Sequence, residues 1–84
     1  MRQDSAFFND REPVLVYIAK RLKEALRLED AFTNAGIDYA VEADEYTGGI
    51  IFRSQRTGAF FYVAKESAEA ARSVMRENGY KTLA

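Results

Sequence analysis

The pattern of apolar and polar positions divides the chain into strand-like and helix-like stretches. Val14 to Ala19 is a short, continuously apolar, largely β-branched run, the pattern of a central strand covered on both faces rather than of a helix. Pro13, with no amide hydrogen to give to a ladder, suits the first position of that strand. From Lys20 to Ala35 the period changes to three and four residues. Leu22, Ala25, Leu28, Phe32 and Ala35 share one face, with Lys23, Glu24, Arg27 and Asp30 between them. This spacing predicts an amphipathic helix, and Gly36 stands where such a helix commonly ends in a residue of positive φ.

Ile37, Tyr39, Val41 and Ala43 then alternate as a second strand. Glu45 to Gly49 has the composition of a hairpin turn leading into a strand over Ile50 to Arg53, and Ser54 to Gly58 predicts a further turn. Ala59 to Ala64 is the most strand-like segment of the chain. Ser67 is the expected N-cap of a last helix, in which Ala68, Ala71, Val74 and Met75 make a narrow apolar stripe and Gly79 is the stop.

The expected order is therefore β-α-β-β-β-α. Its compact solution is an α+β two-layer sandwich, with an antiparallel-dominated sheet carrying two helices on one face. A β-α-β crossover followed by hairpins and a second helix belongs to the ferredoxin-like class, which hosts many unrelated functions. Residues 14–84 are expected as a single domain, and residues 1–13 as a flexible N-terminal arm that Phe7 and Phe8 tack onto it.

Several segments carry a resemblance to a known family. They are Val16-Tyr17-Ile18-Ala19 at the end of the first strand, Glu24-Ala25 in the helix, and Asn34-Ala35-Gly36-Ile37 at the helix-to-strand junction. Phe61-Tyr62-Val63-Ala64-Lys65-Glu66-Ser67-Ala68-Glu69-Ala70-Ala71 completes the set. From about Val14 to Met75 the chain resembles the small bacterial family of prokaryotic signal-transducing proteins, a domain of unknown biochemical role. The resemblance implies a ligand-sensing or partner-binding module and brings no catalytic residues with it.

Composition narrows the function classes. At 84 residues the chain has room for one small core, and 48% hydrophobic with 30% charged residues is too apolar for disorder. Cysteine and histidine are absent, which removes disulfides, thiolate or imidazole zinc sites, cysteine nucleophiles and histidine-based triads. No cofactor and no enzymatic activity are expected. A net charge of -1 offers no global field for nucleic acid or anionic lipid, and no run of residues is apolar enough to span a membrane. Met1 to Pro13 shows neither a signal-peptide nor a transit pattern, so a cytoplasmic setting is expected.

Four features invite chemistry. Glu42, Asp44 and Glu45 could hold a hard cation, but their spacing matches no EF-hand loop, and a solvated strand end accounts for them. Thr47-Gly48-Gly49 suggests a phosphate loop, yet no Lys-Ser or Lys-Thr pair follows it. Arg56 to Val63 echoes the basic-aromatic strand of RNA-recognition domains, without a matching second motif in the first strand. Lys20, Arg21 and Lys23 crowd the start of the first helix while Glu29 and Asp30 lie toward its end, against the order that the helix dipole favours.

The expected function is a non-catalytic regulatory or protein-interaction module that associates with a partner or with a copy of itself. The interface residues are Leu15, Tyr17, Phe60 and Tyr62, on a sheet face that two short helices leave bare over an area on the order of several hundred Å². The alternative is a sensor of a small anion, a nucleotide or metabolite, held by Lys20, Arg21 and Lys23 with Gly48 and Gly49. Single-stranded RNA binding through the aromatic strand is the weaker third.

Overall fold

The computed structural model describes residues 1–48 and 54–82. Strand β1 spans Val14–Ala19, helix α1 Leu22–Asn34, strand β2 Ala40–Gly48, strand β3 Ser54–Val63 and helix α2 Ala68–Glu77. The strands form one antiparallel sheet in the order β1-β3-β2, so β1 and β2 run parallel to each other on either side of β3; β1, expected as the central strand, is an edge strand, because β3 pairs with both of the others and takes the centre. Both helices lie on one face. The protein is thus α+β, with a three-stranded sheet and two helices among the described residues.

The core forms where the helical stripes meet the sheet. Leu28 and Phe32 of α1, Ala71 and Met75 of α2, and Val16, Phe61 and Val63 of the sheet are at most 1% exposed. Phe32 lies at the centre of an aromatic group, with ring centroids 5.6 Å from Tyr39 and 6.2 Å from Phe61. Each such side chain contributes about 1.5–3 kcal/mol on burial, which is why the three-and-four spacing of α1 decides its orientation. Gly36 ends that helix region with φ +74°, as its position between helix and strand predicts.

Three expectations about the elements are corrected. Ser54–Gly58 is not a turn but the first half of β3, and Glu45–Gly48 is likewise strand, in register from Glu45↔Thr57 to Gly48↔Ser54. Gly58 is buried inside β3, where a glycine marks a close approach rather than a turn. An added Cβ there would stand 2.9 Å from Ile18 Cγ2 and 3.0 Å from Tyr46 Cε1. The expected strand over Ile50–Arg53 lies outside the described residues, as does Gly49. Leu22 and Ala35, assigned to the buried stripe of α1, are exposed, because the helix packs through Ala25, Leu28 and Phe32 alone. Ser67 does precede α2, but its side chain makes no capping hydrogen bond, and a short 3-10 turn over Lys65–Ser67 leads into the helix instead.

The fourth correction bears on function. β1 carries a bulge: Leu15 pairs with Tyr62 and Tyr17 with Phe61, leaving Val16 as the extra residue. A bulge sets two successive residues on the same side of the strand. Val16 and Tyr17 therefore both join the helix-side core, and Tyr17 cannot belong to the opposite face with Leu15. Ile18, paired with Phe60, takes that place.

Candidate functional site

The sheet face turned away from the helices is built by alternation. β1 supplies Leu15 and Ile18, β3 supplies Gly58, Phe60 and Tyr62, and β2 supplies Ala40, Glu42, Asp44 and Tyr46 in register with them. Leu15, Ile18, Tyr46 and Tyr62 are half-buried, whereas Phe60 is only 9% exposed. Of the expected interface set, Leu15, Phe60 and Tyr62 come together here and Tyr17 does not. Burial of the Tyr62 hydroxyl, with Glu42 and Asp44 nearby, raises its pKa above the ordinary tyrosine value. The face is thus aromatic in the middle and acidic along β2. Lys20 stands beside the Tyr46 end of β2, with its ammonium 5.9 Å from the centroid of the Tyr46 ring.

The N-terminal segment covers one end of this face. Gln3 N–H donates to Tyr39 O at 2.7 Å and Tyr39 N–H donates to Met1 O at 3.1 Å, a short parallel pairing that extends the sheet past β2. A 3-10 turn over Ser5–Phe8 follows, started by Asp4, whose carboxylate accepts from Ala6 N–H at 3.0 Å. It places Phe8, 1% exposed, against Ala40 and Ala64, with Phe7 beside it edge-on at 5.0 Å. Arg11 lies over the Phe7 ring at 4.1 Å. A depression of about 340 Å³ remains between this turn and the sheet, lined by Asn9, Pro13, Glu42 and Tyr62 among others.

The cations at the start of α1 are shared between two clefts, with Arg21 lining both. Arg21 occupies the N-cap position in extended conformation without a side-chain capping bond. Lys23 turns toward α2, where it lines a cleft of about 340 Å³ with Arg21, Arg27, Tyr17 and Tyr80. There the Tyr17 hydroxyl donates to Glu24 Oε1 at 2.6 Å and the Tyr80 hydroxyl to Glu24 O at 2.9 Å, so both phenols are committed to structural bonds. Burial first, and then the Glu24 carboxylate, push the Tyr17 pKa up. Lys20 and Arg21 border a separate groove on the other flank of α1. Gly48 lies five residues beyond Ala43 along β2, roughly 16 Å at a strand's rise per residue, and Gly49 lies outside the described residues.

That second groove escaped the sequence. Its lining of Ala19, Ala25, Val41, Ala43 and Ala59 consists of small residues from four elements, which no local pattern brings together. One signal was present: Leu26 falls outside the buried stripe of α1, and an apolar side chain on the solvent side of a helix marks a candidate surface. Among the described residues no three acidic side chains cluster as a metal site, and no helix is long and apolar enough to cross a membrane. No family model, curated protein or solved structure matches the chain.

Proposed function

We propose that this protein is a non-catalytic regulatory or interaction module that self-associates through the open face of its sheet. The observation that carries the reading is the one-sided layering: two helices cover one face, while Leu15, Ile18, Phe60, Tyr62 and Tyr46 line the other. The face suits a second copy because its charges are self-complementary. Glu42 and Asp44 lie along β2, and Lys20 and Arg56 adjoin them at the Tyr46 end of the face, where Asp44 pairs with Gly58 and Tyr46 with Arg56. A two-fold axis through the face sets one protomer's acids against its partner's bases. The molecule measures 39 × 28 × 22 Å, broad enough for the roughly 800 Å² per partner of a standard interface.

Parallel β1 and β2 flanking β3 support a ferredoxin-like plan. Kinship to the prokaryotic signal-transducing proteins and a cytoplasmic setting, without nucleic acid or membrane as partner, are proposed on the sequence alone. The test is molecular mass by light scattering over a concentration series. The wild type is expected to rise toward twice its monomer mass, and Leu15→Ser and Tyr62→Ser, verified as folded by circular dichroism, to stay monomeric. A wild type that is monomeric throughout overturns the proposal.

A second reading, a sensor of a small anion, is favoured by the position of Lys20 and Arg21 at the mouth of the α1–β2 groove.

A further inference from the structure

We infer that the groove between α1 and β2 binds a medium-chain aliphatic carboxylate, with its alkyl chain along the alanine floor and its head group at Arg21 and Lys20. The inference rests on the second reading above, that these cations hold an anion, and adds the chemistry of what is attached to it. The groove floor lies on the helix side of the sheet, while Lys20 at its mouth also borders the open face beside Tyr46.

Three observations carry it. The floor is made of small apolar side chains, Ala19, Ala43 and Ala59, with Val41 and Ala25 as walls, so depth is created where a core would be filled. Ala43 is exposed although it shares its face with Tyr39 and Val41, which pack in or against the helix-side core. Next, Leu22 and Leu26 are 75% and 52% exposed, and among the described large apolar residues only Met1 joins them. Leu22 lines the groove and Leu26 stands one turn further along α1, so unburied apolar surface is concentrated beside this depression.

Finally, the charged residues lining it are all cations: Arg2, Lys20 and Arg21. The Arg2 guanidinium is held 3.7 Å from Glu29, whose carboxylate also accepts from the Tyr39 hydroxyl at 3.0 Å. That pairing partly neutralises Arg2 and leaves the head-group role to Arg21 and Lys20. An apolar trough with a cationic mouth is complementary to an amphipathic anion, as opposed to a bare phosphate or a neutral hydrocarbon. The groove volume is about 310 Å³. At roughly 30 Å³ per water-sized group, this accommodates a ligand of about ten heavy atoms, the size of octanoate.

The experiment is a titration of the ¹⁵N-labelled protein followed by amide chemical shifts, with octanoate, butyrate, inorganic phosphate and octylamine as probes. Octanoate is expected to give saturable shifts centred on Ala19, Leu22, Ala43 and Ala59. Each methylene removed should weaken binding about two- to fourfold. Octylamine should give no saturable shift. Ala43→Phe, which fills the floor from an exposed position, should abolish octanoate binding, as should Leu22→Gln to a lesser degree at a site where folding is not at stake. Arg21→Glu should weaken octanoate at least tenfold. Phosphate and butyrate binding as tightly as octanoate at Lys20 and Arg21 would overturn the aliphatic inference while keeping the anion reading. No shift at the groove with any anion would overturn both, and octanoate binding unchanged in Ala43→Phe would overturn the assigned location.

Discussion

The Tyr17 hydroxyl donates a 2.6 Å hydrogen bond to the Glu24 carboxylate, tying the bulge of β1 to the first turn of α1. Tyr80 stacks edge-on against the same Tyr17 ring at 5.2 Å and donates to the Glu24 backbone carbonyl at 2.9 Å, so the chain after α2 closes the same corner. Removing the hydroxyl with Tyr17→Phe keeps the ring packing and deletes a bond to a charged acceptor, a loss of about 1.5 kcal/mol. Chemical denaturation should show this as a lower midpoint at unchanged slope. A midpoint equal to the wild type would mean that the corner is held by the rings alone.

The same group sets an alkaline limit. Tyr17, Tyr39, Tyr62 and Tyr80 all have pKa values raised above the ordinary 10.0, each with burial as the first cause. A neutral phenol favoured in the fold keeps its full contribution below the unfolded value, near pH 10, and that contribution is lost as the pH rises through the folded values. Thermal unfolding should therefore show stability falling above about pH 10, and less steeply in Tyr17→Phe. A flat profile between pH 9 and 11.5 would contradict the assignment.

Gly36 and Gly58 should fail on substitution for different reasons. Nothing lies within 4 Å of a Cβ built at Gly36, whose φ is +74°, so Gly36→Val strains only the backbone, at about 1–2 kcal/mol or somewhat more for a β-branched residue. Gly36→Asn should recover much of the loss. Gly58→Ala instead meets Ile18 Cγ2 at 2.9 Å and should cost about 1–3 kcal/mol. Denaturation of Gly58→Ala in an Ile18→Ala background separates the two cases. Without a favourable coupling between these substitutions, the steric account of Gly58 is wrong.

Phe8 should matter twice. Its ring, 1% exposed against Ala40 and Ala64, makes Phe8→Ala a loss of about 3 kcal/mol, at the low end for a buried phenylalanine because the cluster is small. The same change uncovers the Ala40–Tyr62 end of the open face. Light scattering should then show stronger self-association than in the wild type at equal folded concentration. Unchanged association would place the dimer contact away from this end of the sheet.

Period and punctuation along the chain determined the local elements: β1, both helices, the core role of Phe32, Phe61 and Val63, and the left-handed exit at Gly36. Each depends on interactions within a few residues or on one buried stripe, and these leave a periodic trace. The lengths of β2 and β3 did not follow, because glycine at Gly58 signals a turn and a close packing contact equally well, and only Ile18 and Tyr46 arriving from other strands distinguish them. The candidate surfaces depended on tertiary structure still more. One bulge exchanged Tyr17 for Ile18 on the open face, since a single extra residue reverses every side chain after it. Lys20, Arg21 and Lys23 read as one cluster in sequence but spread around the start of α1, Lys20 toward the alanine groove, Lys23 toward Tyr80, and Arg21 lining both clefts. The alanine groove itself is lined from β1, α1, β2 and β3 together, a relation between elements that no segment encodes alone.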